Sequence, residues 1–139
     1  MRKITTIILG VGVGAVGLWG SSQAFAGLKT TEDVFVTTIP GGGKVAVGQL
    51  GAARNSVDTI QHIGCYARQV VLPSASLTIQ CSARGADGDT LSCASTNASL
   101  LPIIGSIGSD SRLGFGADAA GNCTYILVDA SSKYQPKKP

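Results

Sequence analysis

The sequence predicts a mostly β protein, a small antiparallel β-sandwich or sheet with one short helix at about residues 99–107 and two disulfides. Three observations predict it. Short runs of alternating apolar and polar residues recur, with turn signals between them. Those breaks are built from Gly, Pro, Asp and Asn, the residues that set tight turns. Four cysteines follow a segment that reads as an export signal, and an even number in a short exported chain implies a disulfide framework.

The export reading begins at Met1-Arg2-Lys3, a doubly positive start. A largely apolar, uncharged run over residues 4–20 follows, and then a short polar stretch ending in Ala24-Phe25-Ala26. Charged, apolar and small-residue parts in that order make a cleavable signal peptide, with Ala24 and Ala26 as the small side chains at the cut. Glycines 10, 12, 14, 17 and 20 weaken the apolar run as a permanent membrane helix, since each costs about 1 kcal/mol relative to Ala. The expected organisation is a signal peptide over 1–26, one secreted β-rich domain over 27–130 and a polar basic tail over 131–139. No stable membrane span is expected after cleavage, and the location is secreted or periplasmic. Losing Arg2 and Lys3 lowers the net charge from +3 to +1, because all 8 acidic residues lie beyond the cut. The basicity of the whole chain therefore carries no message about nucleic acid. Arg54, Arg68, Arg84 and Arg112 are scattered rather than interleaved with aromatics, which also argues against a nucleic-acid surface.

Inside that segment, Gly12-Val13-Gly14-Ala15-Val16-Gly17 matches a dinucleotide-binding fingerprint, but neither an amphipathic helix nor a second strand–helix unit follows. The export signal accounts for the same residues, and no cofactor is expected.

Along the rest of the chain, residues 34–39 are rich in β-branched residues and stop at Pro40-Gly41-Gly42-Gly43. Residues 44–50 form a second strand and 57–66 a third. Residues 77–83 pair with 90–94 across Gly85-Ala86-Asp87-Gly88-Asp89, where Asp-Gly is a hairpin signal because both residues tolerate positive φ. In residues 99–107, Ser99 is a capping residue, Pro102 sits in the first turn, and Leu100, Ile104 and Ile107 recur at helical spacing, so this face belongs to the core. Residues 112–116 and 123–128 close the domain as a hairpin around Asp118-Ala119-Ala120-Gly121-Asn122. The segment 131–139 reads as a mobile tail, whose Lys133, Lys137 and Lys138 invite comparison with a tether to anionic polymer.

Cys65, Cys81, Cys93 and Cys123 lack any C-x-x-C spacing, and His62 is the one histidine, so zinc is poorly served and two bridges are expected. Leu77, Ile79 and Cys81 share one strand face, as do Leu91 and Cys93. Both cysteines therefore point inward, which favours Cys65–Cys81 with Cys93–Cys123 and bridges between layers. Asp87 and Asp89 supply too few oxygens for calcium, and no metal residue is assigned. His62 stands in Ile60-Gln61-His62-Ile63 with no nucleophile elbow anywhere in the chain. The carboxylates sit mostly beside Gly, Ser or Ala and read as turn formers. No catalytic residue is assigned and no enzyme is expected. The functional expectation is an exported, disulfide-stabilised binding or structural module with an unidentified extracellular or periplasmic partner. A secreted enzyme or protease inhibitor presenting Arg84 and the 85–89 loop is one alternative. A fibre subunit pairing through residues 34–39 is the other.

Overall fold

A computed structural model describes residues 29–134 and Pro136. The proposed signal peptide, with Ala24 and Ala26, lies outside the described residues, as do Lys137 and Lys138. Among the described residues, seven strands form two antiparallel sheets. The first sheet has the order β1 (Phe35–Thr38), β2 (Lys44–Gln49), β6 (Arg112–Ala117), β7 (Cys123–Asp129). Between β2 and β6 the chain leaves to build the second sheet, a meander of β3 (His62–Val70), β4 (Ser76–Arg84) and β5 (Thr90–Ser95).

The two sheets share one core. Val36, Ala46, Phe115 and Ile126 are register partners across all four strands of the first sheet, and all are buried. Ile63, Ile79, Ala83 and Leu91 meet them from the second sheet. The expected strands all form. The third is shifted, however: residues 57–61 are a loop and the strand runs on to Val70. Asp58 explains the late start. Its Oδ1 accepts the backbone N–H groups of Ile60 and Gln61 at 3.0 and 2.8 Å, bonds that take the chain out of a ladder.

Leu50, expected at the end of a strand, instead starts a short helix, α1 (Leu50–Asn55), that packs beside β3. The expected helix at 99–107 is a 3-10 turn (Ala98–Leu100) running into α2 (Leu101–Gly105), capped by the Asn97 side chain rather than by Ser99. Leu100, Ile104 and Ile107 do pack against the core, together with Ile103, but each stays half-buried at its rim.

Two hairpins share one turn geometry. In 85–89 and 118–122 the first residue donates its N–H to the last, and the glycine donates back to the first residue's carbonyl, with Gly88 and Gly121 at φ of 90° and 83°. This is the three-residue loop with a left-handed glycine. Asp87 does not need positive φ, contrary to the two-residue turn expected from Asp-Gly. Its carboxylate instead accepts the Asp89 N–H at 3.0 Å.

Both expected bridges are present, Cys65–Cys81 and Cys93–Cys123. One expectation about them is corrected. Cys65 and Cys81 are direct register partners on neighbouring strands, so that bridge lies within one sheet. Only Cys93–Cys123 runs between layers, joining β5 to β7 where the Ala94 N–H also reaches the Gly121 carbonyl at 3.0 Å.

The segment expected to be a mobile tail is docked over its first four residues. Thr30 donates to the Lys133 carbonyl at 2.8 Å, and the buried Tyr134 donates its hydroxyl to Asp129 at 2.6 Å. Tyr134 is apolar enough to leave water and polar enough to need that partner. Lys133 is correspondingly engaged, 3.2 Å from the Asp129 carboxylate, rather than held out as a tether.

Candidate binding surface

The outer faces of the two sheets follow from register. In the second sheet they are polar: Tyr66 opposes Gln80, Gly64 opposes Ser82 and then Ser92, and His62 opposes Arg84 and then Thr90. The Tyr66 hydroxyl donates to Gln80 Oε1 at 2.6 Å, an exposed cross-strand bond. This is the ordinary antiparallel arrangement, with one face packed and the other solvated.

The first sheet departs from it. Phe35, Val47, Gly114 and Leu127 form one outer row across four strands, and Thr37, Val45, Gly116 and Tyr125 form the next. Phe35 is 58% exposed, Leu127 45% and Tyr125 43%, while Val45 and Val47 are half-covered. The two glycines let these side chains lie down. A Cβ on Gly116 would stand 2.6 Å from Tyr125 Cε1 and 2.9 Å from Cδ1, so the ring rests on the Gly116 backbone. The result is a broad, shallow apolar face with aromatics on both edge strands.

A charged cleft of about 450 Å³ borders this sheet, lined by residues that include Glu32, Arg112, Asp129, Lys133 and Tyr134. Arg112 forks onto Glu32, donating Nη2 to Oε1 at 3.1 Å and Nε to Oε2. The hydrogen bond to Glu32 raises the Arg112 pKa above its usual value. The Tyr134 hydroxyl, and secondarily Lys133, hold the Asp129 carboxyl below the usual carboxylate range. Partly exposed charges that neutralise one another leave the cleft a polar border rather than a strong field.

The other chemically interesting residues are spread over the fold. His62 is exposed, with Nδ1 3.3 Å from the Ile60 carbonyl, beside a shallow pocket of about 170 Å³ lined also by Leu50, Arg54 and Gln61. Arg84 is the exposed last residue of β4 and is laddered on both sides, rather than being carried on the loop itself. Asp58 accepts from Ser56, from Gln61 Nε2 and from two backbone amides, and these donors, Ser56 first, depress its pKa. Asp118 is likewise depressed by Asn122, whose side chain and backbone both donate to it. Both are turn formers, as their sequence neighbours imply. Three cysteine sulfurs, of Cys81, Cys93 and Cys123, lie within 4.8 Å of one another, but each belongs to a bridge.

The sequence offers residues 34–39 only as a pairing edge and Arg84 with the 85–89 loop as a presented site, and does not point to the outward side chains of Phe35, Tyr125 and Leu127 as one face. The signal was present as broken alternation. Val34-Phe35-Val36, Val45-Ala46-Val47 and Tyr125-Ile126-Leu127-Val128 are unbroken apolar runs, the pattern of strands with cover on both faces.

Comparison with known proteins places no relative beside this chain: no family model, curated protein or solved structure matches it. Function therefore rests on the surface itself.

Proposed function

We propose that the chain is exported and works as a non-enzymatic binding module, docking another protein on the outer face of its four-stranded sheet. The observation that carries this reading is the pair of rows containing Phe35, Val45, Val47, Tyr125 and Leu127 on a sheet whose inner face already fills the core. Contiguous exposed apolar surface marks interaction sites, and an apolar patch carrying aromatics and bordered by charged groups fits the anatomy of a protein interface. The bridges support the same reading, since disulfides persist in oxidising compartments. Among the described residues, no helix is long and apolar enough to cross a membrane.

A fibre subunit is the second reading, because β1, four residues long, stands at the sheet edge where a strand from a neighbour would add. Mass measurement of the purified protein separates the two: discrete mass supports the docking module, and a ladder of sizes supports the fibre. The docking reading is tested with the double variant Phe35→Lys, Leu127→Lys. Both side chains are exposed, so it should melt like the parent. It should lose the protein that co-purifies with the unchanged chain from its native extracellular fraction. Undiminished co-purification would reject this face as the docking surface.

A further inference from the structure

The hairpin of β3 and β4 outruns the sheet it belongs to. β5 pairs with β4 only between Ile79↔Ser95 and Arg84↔Thr90. The outermost rungs, Arg68↔Thr78, Gln69↔Leu77 and Val70↔Ser76, continue with the 71–75 loop as a two-stranded arm. Residues 66–69 are exposed on both faces of β3, and of the arm's β4 side only Leu77 still packs against the rim of the core, so the end of the arm beyond it projects into solvent.

Its tip is apolar. Val71 is 70% exposed and Leu72 81%, and Pro73 beside them is exposed too. The charge behind that tip has one sign. From residue 59 to residue 86 there is no Asp or Glu, while Arg68 stands on the arm and Arg84 at its base. Every carboxylate of the protein lies outside the hairpin.

We propose that this arm inserts Val71, Leu72 and Pro73 into the surface of an anionic lipid bilayer. The spacing fits the depth of such a surface. Arg68 is three strand residues behind Val71, about 10 Å along the arm. Interfacial segments bury their apolar side about 5–10 Å into the headgroup and acyl boundary. With Leu72 at that depth, the Arg68 guanidinium lies level with the lipid phosphates, and its apolar stem can follow the tip inward. Tyr66, an exposed aromatic with a polar end, stands two residues further back at headgroup level, where such rings collect. An apolar pocket on a protein would account for Leu72 but not for a hairpin that carries Arg68 and Arg84 and no carboxylate; phosphate headgroups account for both. The insertion is shallow and reversible, because three apolar residues are a small anchor, so it depends on the added charge attraction. This contact lies on the second sheet and is independent of the docking face on the first.

Vesicle flotation tests it, using the processed protein that begins after Ala26 and always comparing variants in that same form. The unchanged protein should float with phosphatidylglycerol–phosphatidylcholine vesicles at low salt and be released by raised salt, and it should stay down with phosphatidylcholine alone. Leu72→Asp should lower the bound fraction about tenfold or more. Arg68→Gln should weaken binding to the anionic vesicles and flatten its salt dependence. Melting curves and intact bridges confirm that both variants fold. Absence of flotation with anionic vesicles, or flotation of Leu72→Asp equal to the parent, would overturn the proposal. Tip-dependent capture of a protein without flotation would overturn it as well and assign the arm to a protein partner.

Discussion

The two sheets meet in one core and turn different surfaces to water. On the three-stranded sheet, Ser76-Leu77-Thr78-Ile79-Gln80-Cys81-Ser82-Ala83-Arg84 alternates without a break, and its polar set faces solvent. On the four-stranded sheet the alternation fails in β1, β2 and β7, and the surplus apolar residues gather on the outer face. A sheet buried on one side needs only one apolar face. The second apolar face lies outside the core, where its side chains pack only on one another and on the sheet backbone, and its cost in exposed surface makes sense with a partner laid over it, as proposed. The contrast separates what stabilises the molecule from what it presents.

The largest expected effect tests whether the inner faces are equivalent. Phe115 from the first sheet and Ile79 from the second are both fully buried. Phe115→Ala should destabilise by about 3–5 kcal/mol and Ile79→Ala by about 2–5 kcal/mol, read from denaturant midpoints. An unmoved midpoint for Ile79→Ala would mean that the second sheet does not share the core.

The two bridges differ in what they join. Cys93–Cys123 closes 30 residues and ties sheet to sheet, whereas Cys65–Cys81 closes 16 residues between strands already laddered together. Loop-closure entropy predicts losses of about 3.5 and 3 kcal/mol when each pair is replaced by Ala. The difference should exceed this entropic margin if Cys93–Cys123 also holds the layers together. Equal losses would show that the sheets stay joined without it.

A smaller effect links the sheets through charge. Asp58 orients Gln61, whose amide oxygen accepts the Val34 N–H just ahead of β1 at 2.7 Å. Its pKa is depressed in the folded state, so its contribution is fully present above the unfolded value near 4 and is lost as pH falls below it. The melting temperature should be level from about pH 5 to 7 and decline in acid. Asp58→Asn should flatten that acid decline. An unchanged acid slope in the variant would remove Asp58 from the linkage.

Much of this fold is legible in the sequence, and what is not has physical causes. Strand and hairpin positions follow from alternation and turn residues, whereas the shared inward phase of Leu77, Ile79, Cys81, Leu91 and Cys93 favours the observed disulfide pairing without deciding it, because which strands lie side by side depends on the fold. Helix α1 is hidden because Lys44 to Leu50 is a strand-like run, and tertiary packing beside β3 decides where it turns. The docked segment 131–134 is hidden because one tyrosine among polar residues carries no periodicity. Only the fold brings Asp129 and Thr30 to it. The apolar outer face lay in β1, β2 and β7 as apolar runs, but which half of each run faces outward depends on register, which a sequence does not show.

Each sheet carries one exposed tyrosine on its outer face, Tyr125 on the four-stranded sheet and Tyr66 on the three-stranded sheet, and the buried Tyr134 serves as an internal control. Tyrosine nitration mapped by peptide mass, on the purified protein and on the same protein in a lipid-free extracellular fraction, where the proposed export would place it, therefore reads both faces at once. In the fraction, modification of Tyr125 should fall sharply while Tyr66 reacts as it does in the purified protein. Equal reactivity of Tyr125 in both samples, or protection of Tyr66 instead, would contradict the assignment of the docking surface to the four-stranded sheet.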